Sequence, residues 1–298
     1  MVLPVLRQFL LCVKSRMKDV LISYAWLSVI GLFITFRGTP PPVLLLKVFC
    51  AVTGMAFGMY LWNDVCDFKQ DMVGKDMGYQ SPSGRPLARG LVSKRRMKVF
   101  SALLVVLGLM ASALINLDVL LIQIAFFIIY MIYSTEPMRL KRFFLWKQVT
   151  VAAGGAIACL SAGLAAGIIS IQLLYLTGLY VLFIVGAHPL SDIRDIESDR
   201  AGGIKTIPVV WGPEFTIRLA LTTFTAAAAT TWIGFYGLGF NVALPIIGTI
   251  VFVAFVYVVY PLLSHLSDLE YMVERLYSRG MPLFFILQIA VLVGSLPL

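Results

Sequence analysis

Two acidic stretches hold the side chains best placed to do chemistry. The first, LWNDVCDFKQDMVG from Leu61 to Gly74, sets Asn63, Asp67 and Asp71 four residues apart, with Asp64 three before Asp67. At about 3.6 residues per helical turn, these oxygen-bearing side chains share one face. The second, SDIRDIESDRAGG from Ser191 to Gly203, repeats the device: Asp192, Asp195 and Asp199 stand 128 positions after Asp64, Asp67 and Asp71. Clustered carboxylates hold Mg²⁺, a hard ion that keeps part of its coordination for substrate phosphates. Arg and Lys in the same loops would take the remaining phosphate charge. A diphosphate fits this combination, and an apolar cavity under the cluster would suit a prenyl chain. The reaction that follows is ionisation to an allylic carbocation in a site that excludes water.

The elements that must position these acids are membrane helices. The chain has 298 residues, 60% hydrophobic and 13% charged, with a mean hydropathy of +0.91. That is too apolar for an ordinary soluble domain. Apolar runs of about 20 residues predict nine spans, at 19–36, 43–62, 97–115, 118–135, 148–168, 170–190, 213–237, 242–263 and 281–297. The fold class expected is therefore all-α, a polytopic membrane protein of nine transmembrane helices. The repeated acidic motif suggests one domain over residues 1–298, built from two similar four-helix halves at about 19–135 and 148–263, with the two clusters facing each other.

The net charge of +9 is explained by topology before nucleic acid, and no nucleic-acid partner is expected. All of the 24 Lys and Arg except Arg37 and Lys47 fall in the N-terminal segment, in the loops after spans two, four, six and eight, or close beside them. The positive-inside rule then puts the N-terminus and the active-site loops in the cytoplasm, and the C-terminus outside. No cleavable signal peptide is apparent, because Arg7, Lys14, Arg16 and Lys18 interrupt the first segment. Residues 1–18 read as a basic amphipathic segment that anchors topology. Gly54 and Gly58, and again Gly163 and Gly167, have the small-xxx-small spacing of close helix packing. Residues 63–96 form the longest hydrophilic connection, a candidate lid. Cys12, Cys50, Cys66 and Cys159 show no paired spacing. His188, four residues before Asp192, could orient that carboxylate, although a structural role is the simpler reading; His265 is assigned no role.

The pattern resembles the UbiA superfamily of intramembrane prenyltransferases, which carries NDxxDxxxD after the second helix and DxxDxxxD after the sixth of nine. GRPLARGLVS from Gly84, YSTEPMRLKR from Tyr133 and GIKTIPVVWG from Gly203 are similar to further family segments, in order along the whole chain. The resemblance implies that Asn63, Asp67, Asp195 and Asp199 are the nearest Mg²⁺ ligands, with Asp64, Asp71 and Asp192 completing or orienting the cluster. It implies that Arg85, Lys141, Arg142 and Lys205 bind the diphosphate of an isoprenyl substrate, and that the Tyr133 ring lies beside the allylic carbon. The chain departs from the family pattern around the expected acceptor side. About seven extra residues separate Asp71 from Arg85, Gly84 replaces an Asn, Glu136 replaces a Pro, and Arg89 stands where a Ser is common.

Three functions use such a site. The first transfers the prenyl group to a hydrophobic acceptor, aromatic or lipid. The second is a terpene cyclase on the same scaffold, in which the substrate's own double bond attacks the cation. A cation transporter is the third, and it fits less well because the acids lie at helix ends and not at the midplane.

Overall fold

The computed structural model describes residues 4–76 and 85–297, with the side chains of residues 70, 71, 73–76 and 281 outside that description. Among the described residues the regular elements are all helices. Eight are long and apolar enough to cross a membrane: Val5–Phe36, Pro42–Lys69, Lys94–Ala113, Leu117–Ser134, Trp146–Ala166, Ile171–Ala201, Ala243–Ser264 and Leu269–Ser295. The chain is an integral, multi-pass membrane protein. The remaining expected span, 213–237, is helical within Ile207–Gly237 but is diluted by Thr222, Thr223, Thr225, Thr230 and Thr231. All five of these hydroxyls bond back to carbonyls three or four residues earlier. That removes the cost of placing them in an apolar environment.

The chain divides into two compact units, residues 1–29 with 41–141 and residues 30–40 with 142–298. Helix α1 (Val5–Phe36), of which residues 5–29 belong to the first unit, runs without interruption from the basic segment into the first span, through one π turn at Leu21–Ala25. Helix α2 (Pro42–Asp76) is 35 residues long. At 1.5 Å per residue that is about 52 Å, well beyond a hydrocarbon core of about 30 Å. The apolar part of α2 is long enough to fill the core, and the acidic motif occupies the C-terminal end of the helix. Helix α3 (Lys94–Ala113) begins where the Ser93 hydroxyl accepts from the Arg96 amide. Asn116 caps α4 (Leu117–Ser134) in the same way, at 2.9 Å from the Val119 amide.

The small residues of α2 do what their spacing predicts. A Cβ on Gly54 would stand 2.9 Å from the Gly108 Cα, and one on Gly58 would stand 2.6 Å from Val105 Cγ2. Only glycine lets α2 and α3 approach so closely, and the Ser101 hydroxyl uses that proximity to donate to the Gly58 carbonyl at 2.7 Å.

In the second unit, Gly163 of α5 (Trp146–Ala166) likewise packs under Leu173 and Ile169. Gly167 does not share that role. It ends α5 at φ +71°, with nothing near its Cβ position, the left-handed helix stop that glycine adopts without strain. Helix α6 (Ile171–Gly186) is followed by a 3₁₀ stretch, His188–Asp195, and a short helix α7, Ile196–Ala201. The expected second copy of a regular α-helical acidic end is therefore not what forms. Pro189 at the start of the stretch has no amide to donate, and the backbone tightens to bonds three residues apart. Helix α8 (Ile207–Gly237) contains a break at Gly212, φ 81°, immediately before Pro213. Helix α9 (Ala243–Val259) stacks Phe255 on Phe224 of α8 at 3.8 Å between ring centroids.

Candidate active site

The first acidic motif is built entirely within the first unit. Asn63 Nδ2 donates to Asp67 Oδ2 at 2.8 Å, and the Ser134 hydroxyl at the end of α4 donates to Asn63 Oδ1 at 3.0 Å. The other Asp67 oxygen accepts from Arg139 Nη2 at 3.0 Å and from the Lys141 ammonium. Asp67 and Lys141 are both buried. Burial draws the Lys141 ammonium below the usual lysine range, and Asp67 pulls it back in part. Arg139 also pairs with Glu136 at 3.3 Å.

Asp64 points to a different set of cations. It has no solvent exposure, and its two oxygens face the Arg16 guanidinium of α1, one bonded to Nε at 3.2 Å and the other to Nη2. Arg85 Nη1 joins the second oxygen at 3.3 Å. The expected diphosphate residue Arg85 thus shares a carboxylate with Arg16, a residue of the basic segment expected to anchor topology. Asp71 lies on α2, but its side chain falls outside the described residues, as do residues 77–84 of the candidate lid, Gly84 included. Arg142 and Lys205 are solvent-exposed.

One turn before Asp64, Tyr60 begins an aromatic cluster. The Arg16 guanidinium lies 5.2 Å from its ring centroid, and Tyr24 stands edge-on to it at 6.0 Å. Tyr24 and Tyr130 share a hydroxyl–hydroxyl hydrogen bond. Phe126 stacks on Tyr130 at 4.4 Å, and the expected cation neighbour Tyr133 is tilted against Tyr130 at 6.1 Å. The structure thus brings Tyr133 into an aromatic wall on the same unit as Asn63 and Asp67. Ring faces of this kind stabilise positive charge at close range.

The second motif lies in the second unit. Lys147, at the start of α5, donates to Asp192 Oδ1 at 2.7 Å, while Asp192 Oδ2 is buried with no hydrogen-bond partner. Asp195 accepts from Nε and Nη2 of Arg194, each at 2.9 Å, and Arg194 stacks over Tyr277 at 5.2 Å. Asp199 is buried on α7. His188 makes no hydrogen bond to Asp192; its Nδ1 is buried without a partner. Sequence reasoning named neither Lys147 nor Arg194. Their basic side chains next to acids in sequence or across a span were the available signal.

Among the described residues, no three His, Cys, Asp or Glu side chains stand together as a metal cage. Mg²⁺ does not need one, because one or two carboxylates and substrate phosphates usually complete its coordination. The donor set fits that ion: amide and carboxylate oxygens without thiolate or imidazole, and one buried Asp192 oxygen still open.

The UbiA prenyltransferase family profile matches residues 24–270. The chain belongs to this family. It is a prenyltransferase, an enzyme that transfers alkyl groups other than methyl. It is 27% identical over 266 residues to digeranylgeranylglyceryl phosphate synthase of Sulfurisphaera tokodaii, covering 86% of this chain and 87% of that one. The same-named protein of Sulfolobus acidocaldarius is 30% identical over 214 residues, 70% of each chain. Among solved structures, one concerning digeranylgeranylglyceryl phosphate synthase in membranes superposes with a TM-score of 0.74 at 22% identity, covering 99% of both chains. A UbiA homologue from Archaeoglobus fulgidus bound to GPP and Mg²⁺ gives 0.68 at 15% identity, covering 93% of this chain and 99% of that one. Those two likenesses establish the fold of this UbiA prenyltransferase.

Proposed function

We propose that this prenyltransferase uses Mg²⁺ to ionise an allylic isoprenyl diphosphate and transfers the prenyl group to a lipid acceptor, releasing diphosphate. The observation that carries the reading is Asp67, whose carboxylate is shared among Asn63, Arg139 and Lys141. A metal-type oxygen donor and two phosphate-type cations thus meet at one buried group. The homologue bound to GPP and Mg²⁺ supports the same substrate class and ion.

In this reading Asn63 and Asp67 of the first motif, and Asp195 and Asp199 of the second, would serve as Mg²⁺ ligands, and Asp64, Asp71 and Asp192 would complete or orient the ligands of their own motif. The chemistry that Mg²⁺ would supply when bound is to offset the charge that builds on the departing diphosphate. Lys141, Arg139, Arg85, Arg142 and Lys205 hold phosphate oxygens. The allylic C–O bond breaks, and its electron pair leaves with the diphosphate. Tyr133 and its aromatic neighbours stabilise the cation that remains. An acceptor hydroxyl oxygen then forms the new C–O bond and passes its proton to the released diphosphate. Relatives named for digeranylgeranylglyceryl phosphate favour a glycerol-lipid acceptor over an aromatic ring, and they lend the cyclase alternative no support. The distribution of basic residues supports cytoplasmic placement of the N-terminus and the acidic loops.

Asp67→Asn and Asp195→Asn test the shared mechanism. Each is expected to lower Mg²⁺-dependent diphosphate release by at least about 100-fold, the scale of losing one electrostatic contributor in a closed site. Wild-type release by both variants would remove the carboxylates from the reaction.

A further inference from the structure

Beside the first motif, the first unit carries a cleft of about 250 Å³, of whose lining the mechanism above uses Arg139 alone. Trp62, Val65 and Cys66 of α2 form one side of it, and Lys94, Lys98 and Arg139 bring three cations to it. Trp62 and Cys66 occupy the helical stripe next to that of Asn63 and Asp67, about 100° around α2. The cleft therefore adjoins the acidic face without being part of it. The indole is fixed in place: its N–H donates to the Thr135 hydroxyl at 2.9 Å, and the Lys98 ammonium sits 5.9 Å from its ring centroid. Glu136 is the acid in the lining, and it pairs with Arg139. Lys94 and Lys98 have no carboxylate partner among the described residues, so the cleft keeps a surplus of positive charge.

A cationic rim over an aromatic and apolar wall matches one ligand chemistry, a phosphate group joined to a hydrocarbon chain. Arg139 ties the two places together, since it lines the cleft and donates to Asp67. We propose that this cleft binds the phosphate-bearing headgroup of a lipid, and that the lipid is the acceptor. The second half of this inference rests on the transferase reading. The enzyme then selects a phosphorylated acceptor through Lys94 and Lys98, neither of which holds the diphosphate.

The test combines direct binding with kinetics on the full chain in lipid nanodiscs. The probes are oleoyl-lysophosphatidic acid, monoolein as its phosphate-free counterpart, and inorganic phosphate. Wild type is expected to bind lysophosphatidic acid and to bind neither of the others measurably. Lys94→Glu with Lys98→Glu should weaken that binding by at least about tenfold, as expected for loss of charge-assisted contacts, whereas Lys94→Arg with Lys98→Arg should retain it. Both lysines are exposed, so folding of these variants is not at stake. In turnover, the Glu pair should raise KM for a glycerol-phosphate lipid acceptor and leave KM for the allylic diphosphate unchanged. Equal binding of monoolein and lysophosphatidic acid, or equal affinity in wild type and the Glu pair, overturns the headgroup site. Tight, charge-dependent binding with no change in acceptor KM overturns the acceptor assignment and leaves a site for bulk anionic lipid. Failure of every acceptor to support turnover, with binding intact, overturns the transferase reading and the acceptor assignment together, and leaves the headgroup site standing.

Discussion

A carboxylate with no exposure needs a counter-charge, and Asp64 has two, from Arg16 and Arg85. Removing one partner from a buried pair strands the other charge. Arg16→Ala should therefore destabilise the protein by about 3 kcal/mol, the low end for breaking a buried pair because Arg85 remains. Thermal unfolding in detergent measures this, and adding Asp64→Asn to the Arg16 variant should recover part of the loss. Unchanged stability in Arg16→Ala would mean that the contact contributes nothing. The acids themselves were legible from their spacing, because a four-residue repeat on a helix fixes a common face. Their partners were not: Arg16 lies 48 residues from Asp64, and Lys141 lies 74 from Asp67. No local periodicity encodes such a meeting. Arg16 also had a sufficient alternative explanation as a positive-inside anchor, and that explanation concealed its contact.

At the level of elements, the register between α2 and α3 decides where the first motif sits relative to Arg85 and the loop that precedes α3. That register depends on Gly54 against Gly108 and on Gly58 against Val105 and Ser101. Gly58→Leu would press a side chain into Val105 and the Ser101 carbonyl. It should cost about 1–3 kcal/mol by overpacking and lower activity through displacement of the motif. A melting curve paired with diphosphate release checks both; an unaltered melting temperature would show that the helices can separate without penalty. The spans were readable because a bilayer demands about 20 apolar residues in a row. Two features escaped for physical reasons. Gly167 has the spacing of a packing residue but ends a helix in the left-handed region, and spacing alone does not separate those uses. The second acidic motif copies the first in sequence, yet Pro189 turns its first half into 3₁₀ helix. Three residues per turn bring Asp192 and Asp195 into line, with Asp199 one α-turn farther on.

Across the whole molecule, the family, the helical membrane architecture and the enzyme class were legible, because two rare acidic motifs at helix ends recur in an otherwise apolar chain. What the acceptor is was less legible, since the departures from the family pattern cluster on residues 72–89 and at Glu136, and residues 77–84 lie outside the described structure. The cationic cleft on the first unit supplies a physical basis for acceptor choice that no motif displayed. The account as a whole stands on metal-dependent ionisation coupled to transfer. The most direct measurement is diphosphate release by the purified chain in nanodiscs given geranylgeranyl diphosphate, with and without Mg²⁺ and with and without a glycerol-phosphate lipid. The account predicts release only when Mg²⁺ and the acceptor are both present, with loss of release on chelation by EDTA. Release that persists in EDTA, or release with Mg²⁺ alone accompanied by a cyclic hydrocarbon, would contradict it.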